Sequence, residues 1–387
     1  MPIINRIADF HDDMRTWRRD LHAHPETAFE EIRTSDIVAA KLAEFGIDVH
    51  RGLAGTGVVG TLSNGDGPTI GLRADMDALD VPEANDFAHK STYDGKMHAC
   101  GHDGHTTMLL GAARYLAETR NFKGTVQFIF QPAEENEGGG RVMVEQGLFD
   151  KFPVEAVYGM HNWPGQEVGV FAVTAGPLMA AFDIFEITIM GRGAHGGMPH
   201  TGIDPIPVAA EIVSALQTIV SRQTDPIDAA VVSVTQIHAG DAWNVIPDQV
   251  VLRGTTRSFR PEVQDSIEPA IRRIAEGICQ AHQCTMDMMY ERRYPPTINE
   301  PVAAKAARRA AEDVSGAGRV IENPTPSMGA EDFSFMLQEK PGCYVWLGNG
   351  PGAGGCMLHN PHYDFNDDIL AIGASYWSRL VELELAG

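Results

Sequence analysis

The chain has 387 residues, of which 43% are hydrophobic and 21% charged, and its formal net charge is -22. This length exceeds what a single simple core usually fills, so two domains are expected. An acidic surface repels nucleic-acid phosphates and anionic membranes, which argues against either as a partner. No stretch approaches 18 apolar residues, so no membrane span is predicted.

The N-terminal segment has neither the apolar run nor the small-residue cleavage site of a signal peptide. Its apolar side chains recur at helical spacing along one face, which predicts one amphipathic helix. The residues on this face are Ile4, Ile7, Phe10, Met14, Trp17 and Leu21. The five cysteines are scattered and odd in number, and with the missing export signal they predict reduced thiols in the cytoplasm.

Helices and apolar strands alternate along the next part of the chain. A second helix around "SDIVAAKLAEFG" ends near Gly46, as helices often do at glycine. The strands "GVVGTL" and "TIGLRAD" follow, then a helix from about Gly104 to Glu118, then the strands "TVQFIFQ" and "AVYGMH". This alternation with short links predicts an α/β domain with a mostly parallel sheet.

The rhythm changes between residues 181 and 293. Strand, helix, two strands, helix and strand follow one another there, from "FDIFEITIM" to "CTMDMMYERRY". This β-α-β-β-α-β order is that of a ferredoxin-like unit. The α/β pattern then resumes with the helix "PVAAKAARRAAEDV" and the strand "CYVWLGN". We therefore predict a larger domain formed by residues 1–180 and 294–387, with a small domain inserted at 181–293.

The segment "GTGVVG", Gly55 to Gly60, matches the glycine pattern of a dinucleotide site. Such a site needs a helix directly after the glycines, because the helix N-terminus binds the pyrophosphate. The residues that follow are "TLSNGDGPT", which contain a turn and leave no room for a helix. A β-hairpin is therefore favoured over an NAD-dependent oxidoreductase.

The segment "MHACGHDGH" concentrates imidazole and thiol groups, which are good ligands for Zn²⁺ and related ions. A structural zinc site would need a second Cys/His pair, and none is present. Polar residues instead follow several strands, and strand ends of an open α/β sheet converge on one crevice. They are Asp75, Asp77, Glu134, Glu135, His161 and, in "CMLHNPHYDF", His359.

The adjacent pair Glu134 and Glu135 suits metal-assisted hydrolysis. Neighbouring side chains of an extended segment point in opposite directions, so one carboxylate can bind metal while the other faces the substrate. A metal lowers the pKa of bound water toward ~7, and a nearby glutamate can take its proton.

The motifs "MHACGHDGH", "QPAEE", "GMHN", "GAHGGMPH", "NVIPD" and "MGAEDF" resemble those of the hippurate hydrolases, auxin-conjugate amidohydrolases and other N-acyl-amino-acid amidohydrolases. This family is part of the aminoacylase–carboxypeptidase group of dinuclear metallopeptidases. The resemblance implies an α/β catalytic domain with an inserted lid that mediates dimerisation, as a homodimer or a tetramer of dimers. It implies two divalent ions per subunit (Mn, Zn, Co or Ni), and the implied ligands are Cys100, His102, Glu135, His161 and His359.

The resemblance also implies roles for other residues. Glu134 is the general base and acid, and His195 stabilises the oxyanion, commonly in the active site of the partner subunit. Asn244 contacts the carboxylate end of the substrate, and Gly329 is assigned to substrate binding. Arg257 is a candidate for the same carboxylate, because guanidinium binds carboxylates bidentately; a salt bridge within the lid is the alternative.

Two departures from other branches of the group concern the ligands. Asp75 stands where those branches have a ligand histidine, and Cys100 stands near the position of their acidic bridging ligand. Asp77 is then expected to orient an imidazole. The predicted function is hydrolysis of N-acyl amino acids with an aromatic or acetyl acyl group. The alternatives are a carboxypeptidase or dipeptidase that acts on small peptides and a non-catalytic metal-binding protein.

Overall fold

The computed structural model describes residues 3–135, 137–351 and 356–386. Its helices are α1 Asn5–Ala8, α2 His11–Ala23, α3 Ile32–Glu44, α4 His102–Thr119, α5 Gly139–Glu145, α6 Leu148–Lys151, α7 Pro205–Thr218, α8 Pro261–Ala281, α9 Pro301–Ser315, α10 Phe333–Glu339 and α11 Leu370–Glu384. Its strands are β1 Asp48–Leu53, β2 Gly57–Asn64, β3 Thr69–Asp75, β4 Gly124–Gln131, β5 Ala156–Pro164, β6 Phe171–Val173, β7 Gly176–Met179, β8 Ala181–Met190, β9 Ala194–His195, β10 Ala230–His238, β11 Val245–Ile246, β12 Gln249–Ser258, β13 Thr285–Tyr294, β14 Thr297–Asn299, β15 Val320–Glu322 and β16 Gly342–Gly350.

The chain divides into two compact units. The first consists of Met1–Leu178, Ile298–Thr325 and Asp332–Gly387, and the second of Met179–Thr297 with Pro326–Glu331. Each unit has its own cluster of buried apolar side chains. The sequence-based boundaries had placed residues 326–331 in the larger domain, whereas the structure groups them with the second unit.

The first unit is built on an eight-stranded sheet with the order β1-β2-β4-β3-β5-β16-β6-β15. The pairings from β4 through β3 and β5 to β16 are parallel, and those of β1 with β2 and β2 with β4 are antiparallel. A mostly parallel central sheet, as predicted, therefore runs through this unit. The buried faces of α4, α9 and α11 contribute to its apolar core.

The predicted N-terminal helix is two helices, α1 and α2, separated at Asp9 and Phe10. The break is a tight turn in which the Phe10 N–H donates to the Ile7 carbonyl at 3.0 Å. Ile7, Phe10 and Met14 are still buried together, so a periodic apolar pattern does not reveal the break. Gly46 has a left-handed backbone with φ +74° just beyond α3, as its position at a helix end predicted.

The glycines of "GTGVVG" lie in the hairpin of β1 and β2, which pair antiparallel. β2 is followed by β3, and no helix begins between residues 57 and 75 of this described part of the chain. The helix that a dinucleotide site requires is therefore missing.

In the second unit, β8, α7, β10, β12, α8 and β13 follow in that order. The sheet order is β10-β12-β8-β13, and all its pairings are antiparallel. Side chains of α7 and α8 cover one face and form the second apolar cluster. β9 and β11 pair with each other outside this sheet.

Candidate metal centre

Side chains that can bind metal come together where strands β3, β4 and β5 of the first unit end. Cys100 and His102 stand at the start of α4, Glu134 and Glu135 follow β4, and His161 lies near the end of β5. Three groups have ligand atoms that all lie within 4.8 Å of one another: Cys100–His102–His161, Cys100–Glu135–His359 and His102–Glu134–Glu135. The five predicted ligands and the predicted base are therefore neighbours.

Helix α4 begins between Cys100 and His102, so that Cys100 lies in the preceding loop and His102 in the first helical turn. Gly101 has φ +92°, and its carbonyl accepts the N–H groups of Gly104 at 3.0 Å and His105 at 3.1 Å. These two bonds begin the helix at His102, two residues before the predicted start. The thiol thus comes from the loop and the imidazole from the first helical turn.

The imidazoles of His102 and His161 both turn Nδ1 to a backbone carbonyl, which leaves Nε2 as the atom that can bind a metal. His102 Nδ1 lies 2.9 Å from the Asp77 carbonyl oxygen, so Nδ1 carries the proton and donates it. His102 Nε2 is buried and has no hydrogen-bond partner among the described residues. His161 Nδ1 donates in the same way to the Asn162 carbonyl at 2.6 Å, and its Nε2 lies 3.3 Å from Cys100 Sγ. Such outer hydrogen bonds fix the tautomer of a metal-binding histidine.

The electrostatics of the cluster favour a cation. Burial opposes the charge on His102 most strongly, yet the carboxylates of Asp75 and Asp77 raise its pKa to about 10. Burial and the neighbouring carboxylates raise the pKa of the Cys100 thiol well above its ordinary value. Burial lowers the pKa of His161, which therefore stays neutral. This excess of negative charge, with an unpartnered nitrogen and N, S and O donors, fits divalent metal ions.

The Asp77 carboxyl group holds the backbone of the two glutamates. Oδ1 accepts the N–H of Glu134 at 3.0 Å, and Oδ2 accepts the N–H of Glu135 at 2.9 Å. Oδ1 also lies 3.3 Å from His102 Nδ1. Asp77 therefore connects the carboxylate loop to the imidazole of α4 through both its carbonyl and its carboxyl oxygens.

His359 reaches the cluster from the C-terminal part of the chain. Its Nε2 lies 3.0 Å from Glu135 Oε1. This hydrogen bond raises the pKa of His359 and outweighs burial, which lowers it. Its backbone is left-handed, with φ +64°, and its N–H donates to the Ala99 carbonyl at 2.8 Å. Glu134 Oε1 accepts the Asp332 N–H at 3.4 Å.

Asp75 is not free for a metal, because a buried network engages both its oxygens. Oδ1 lies 2.6 Å from His105 Nδ1, and Oδ2 accepts from Arg73 at 2.7 Å. His105 Nε2 in turn accepts the Asn162 N–H at 2.9 Å, and Asn162 Nδ2 donates to the Cys100 carbonyl at 2.7 Å. Arg73 and Asn162 were not predicted in this role from the sequence. Asn162 directly follows His161 in "GMHN", and this motif held the signal for it.

A second buried group of charges joins α2 to the start of α4. His22 Nδ1 lies 2.8 Å from Asp103 Oδ2, and its Nε2 lies 3.3 Å from Glu83 Oε1. Burial opposes the charge on His22, but these two hydrogen bonds outweigh it and raise its pKa to about 9. Arg18 donates to Asp364 at 2.9 Å and lies 3.8 Å from Asp103. These charges hold the first turn of α4 in place.

The predicted residues His195 and Asn244 lie together in the second unit. Both line an open cavity of about 1270 Å³. His195 is paired with Val245 between β9 and β11, and the Gly196 N–H donates to the Asn244 carbonyl at 2.7 Å. The backbone thus keeps the two side chains at one rim.

Arg257 and Gly329 lie elsewhere in the second unit. The Arg257 guanidinium stacks 4.0 Å from the Phe182 ring centre, beside a cavity of about 440 Å³. Burial lowers the pKa of Arg257, and the nearby Asp183 carboxylate opposes this shift. Gly329 donates its N–H to Ser327 Oγ at 3.0 Å, and its carbonyl accepts the Ala180 N–H at 3.0 Å.

Comparison with known proteins agrees with this centre. Residues 71–383 match peptidase family M20/M25/M40. Hippurate hydrolase of Campylobacter jejuni is 41% identical over 98% of both chains, and N-acetylcysteine deacetylase of Bacillus subtilis is 39% identical over 97% of this chain and 98% of that one. The solved structure of the Bacillus subtilis YXEP protein, a dinuclear metal-binding peptidase from family M20, is 37% identical over 98% of this chain and 99% of that chain, with a TM-score of 0.85. None of the described helices is long and apolar enough to cross a membrane. The chain belongs to peptidase family M20/M25/M40 and is an amidohydrolase.

Proposed function

We propose that the protein hydrolyses the amide bond of N-acyl amino acids that carry an aromatic or acetyl acyl group, releasing a carboxylic acid and a free amino acid. The observation that carries the proposal is the cluster of thiol, imidazole and carboxylate groups, in which His102 Nε2 is buried and accepts or donates no hydrogen bond among the described residues. The names of the hippurate hydrolase and N-acetylcysteine deacetylase relatives support this substrate class.

Two divalent ions, of Mn, Zn, Co or Ni, would be held by the five predicted ligands. These are Cys100, His102, Glu135, His161 and His359, which the three neighbouring groups contain. Ions in such a site lower the pKa of water toward ~7 and polarise a carbonyl group.

Glu134 acts as the proton carrier of the reaction. Its carboxylate takes a proton from the attacking water and delivers it to the amine that leaves, and such transfer accelerates reactions about 10²- to 10⁴-fold. Its backbone is held by Asp77, which keeps the proton-accepting oxygen in one place while Glu135 serves as ligand.

The proposal includes a ferredoxin-like lid domain at about 181–293 and a catalytic domain formed by residues 1–180 and 294–387. His195 stabilises the oxyanion, and Asn244, Arg257 and Gly329 bind the amino-acid end of the substrate. The half-buried guanidinium of Arg257, which stacks on Phe182, supports this role, because a guanidinium can bind a carboxylate bidentately.

The lid also mediates assembly into a homodimer or a tetramer of dimers. β10 is an edge strand of its sheet, and its last residues, Thr235 to His238, are exposed, which supports strand pairing between subunits. The five cysteines form no disulfide, which supports a reducing cytoplasmic location.

The test is amino-acid release from benzoyl, acetyl and indoleacetyl amino acids, before chelation, after chelation and after return of Mn²⁺, Co²⁺ or Zn²⁺. We expect release that depends on metal and falls about 10²- to 10⁴-fold in Glu134→Gln with metal binding retained. Glu145→Gln, at an exposed carboxylate of α5, is the matched control and should keep full activity. Release from dipeptides alone would replace the proposal with peptidase activity, and an active Glu134→Gln would remove its assigned role.

A further inference from the structure

Three consecutive backbone N–H groups in the loop after β4 all point at buried carboxylates. The N–H of Ala133 donates to Glu31 Oε1 at 2.9 Å, and those of Glu134 and Glu135 donate to the two oxygens of Asp77 at 3.0 and 2.9 Å. Ala133 has φ +53°, a left-handed conformation that an alanine rarely adopts. Successive N–H groups around such a residue form a concave anion site, which Glu31 and Asp77 fill from two sides.

Glu31 joins this loop to two other segments of the first unit. Its side chain is fully buried, and the same Oε1 also accepts the N–H of Phe29 at 3.1 Å. Phe29 is a second non-glycine residue with a left-handed backbone, at φ +62°. Oε2 accepts the hydroxyl of Thr56, from the turn between β1 and β2, at 2.6 Å. One carboxylate thus fixes two strained backbone positions and a hairpin turn.

We propose that Glu31 is a positioning residue for the Glu134–Glu135 loop and, through it, for metal binding by Glu135. The inference rests on the proposed function of that loop. A left-handed alanine is strained and persists only where its surroundings hold it. Two bonds hold Ala133 directly: its N–H donates to Glu31, and its carbonyl accepts the Gly139 N–H at 2.8 Å. Glu31 is the side chain among these contacts, because Asp77 binds only the two residues that follow.

The experiment compares Glu31→Gln with Glu26→Gln. Glu26 is the matched control: it lies in the same N-terminal segment and accepts the N–H groups of Arg33 and Thr34 at 3.0 and 2.9 Å, where it supports the start of α3. Two measurements are made on each variant: amide hydrogen exchange of residues 131–135 in metal-free protein, and Co²⁺ affinity with the cobalt absorption spectrum. We expect Glu31→Gln to speed exchange at Ala133, Glu134 and Glu135 and to weaken Co²⁺ binding about 10- to 100-fold, with an altered spectrum. Glu26→Gln should leave all three unchanged.

A milder variant covers the case in which Glu31→Gln does not fold. Thr56→Val removes the hydroxyl bond to Oε2 and leaves the bond to Ala133, so we expect the same changes at smaller size. Unchanged exchange and unchanged Co²⁺ affinity in the folded variants would overturn the inference, whatever their thermal stability. The readouts do not depend on the substrate: absence of N-acyl amino-acid hydrolysis by the wild-type protein would remove the proposed function and leave the positioning role standing.

Discussion

Replacing Gly101 with alanine should disrupt the loop between Cys100 and His102. At φ +92° an alanine is strained, and its Cβ would lie 2.3 Å from Asn162 Nδ2 and 2.5 Å from Tyr363 Oη. Asn162 must then move away from both the Cys100 carbonyl, to which it donates at 2.7 Å, and the Tyr363 hydroxyl, from which it accepts at 2.8 Å.

The size of the effect follows from these contacts. The backbone strain is worth about 1–2 kcal/mol. Each buried polar group that loses its partner costs about 1–3 kcal/mol, so two such losses add about 2–6 kcal/mol. Gly46→Ala is the matched control, because φ is +74° there and no atom lies within 4 Å of the added Cβ. It should therefore show the strain alone.

Urea unfolding of the metal-free variants measures the difference, and Co²⁺ titration reports on the ligands beside the loop. We expect Gly101→Ala to lose about 2–6 kcal/mol more unfolding free energy than Gly46→Ala and to bind Co²⁺ more weakly. If Gly101→Ala and Gly46→Ala lose unfolding free energy to within about 1 kcal/mol of each other and bind Co²⁺ equally well, the packing argument is refuted.

Other perturbations test the buried charges and the metal. The pKa of His22 is about 9 in the folded protein, against an ordinary 6.5. Its contribution to the unfolding free energy, at most about 3 kcal/mol, is therefore complete below pH 6.5 and is lost as the pH rises through 9. In urea titrations of metal-free protein, His22→Asn should lack this loss, and a pH dependence equal to that of the wild type would contradict the assignment. Asp332→Asn removes the charge of a buried partner of Arg73 and should lower the unfolding free energy by about 3–5 kcal/mol. Asp265→Asn, at an exposed ion pair, should change it by less than about 1 kcal/mol. Equal losses in the two variants would contradict the expected effect of burial. Chelation should lower the melting temperature, and metal returned at 100 times its dissociation constant should restore about 3 kcal/mol of stability; a melting temperature independent of metal would argue against a site in the folded protein.

Local sequence patterns predicted the strands whose ends carry the candidate metal ligands. The runs "TIGLRAD", "TVQFIFQ" and "AVYGMH" are buried strands β3, β4 and β5, and polar residues near their ends meet as the strand-end rule predicts. The roles of these residues came from the resemblance in motif, since spacing alone left ligand and base undistinguished. The strand patterns and the motifs each involve residues close in sequence, so a single sequence was enough to predict them.

The sequence by itself determined the alternation of strands and helices, the change of rhythm at the inserted unit and the identity of the candidate ligands, because these are encoded in short-range periodicity and compact motifs. Only the tertiary structure decided the partners of Glu31 and Asp75, the start of α4 at His102, the break between α1 and α2, and the place of residues 326–331 in the second unit. Those features depend on hydrogen bonds and packing between distant segments, such as the 102 positions that separate Glu31 from Ala133. A hydrogen bond between distant residues leaves no periodic pattern in the sequence. It can be identified only in the folded structure, where the donor and the acceptor lie next to each other.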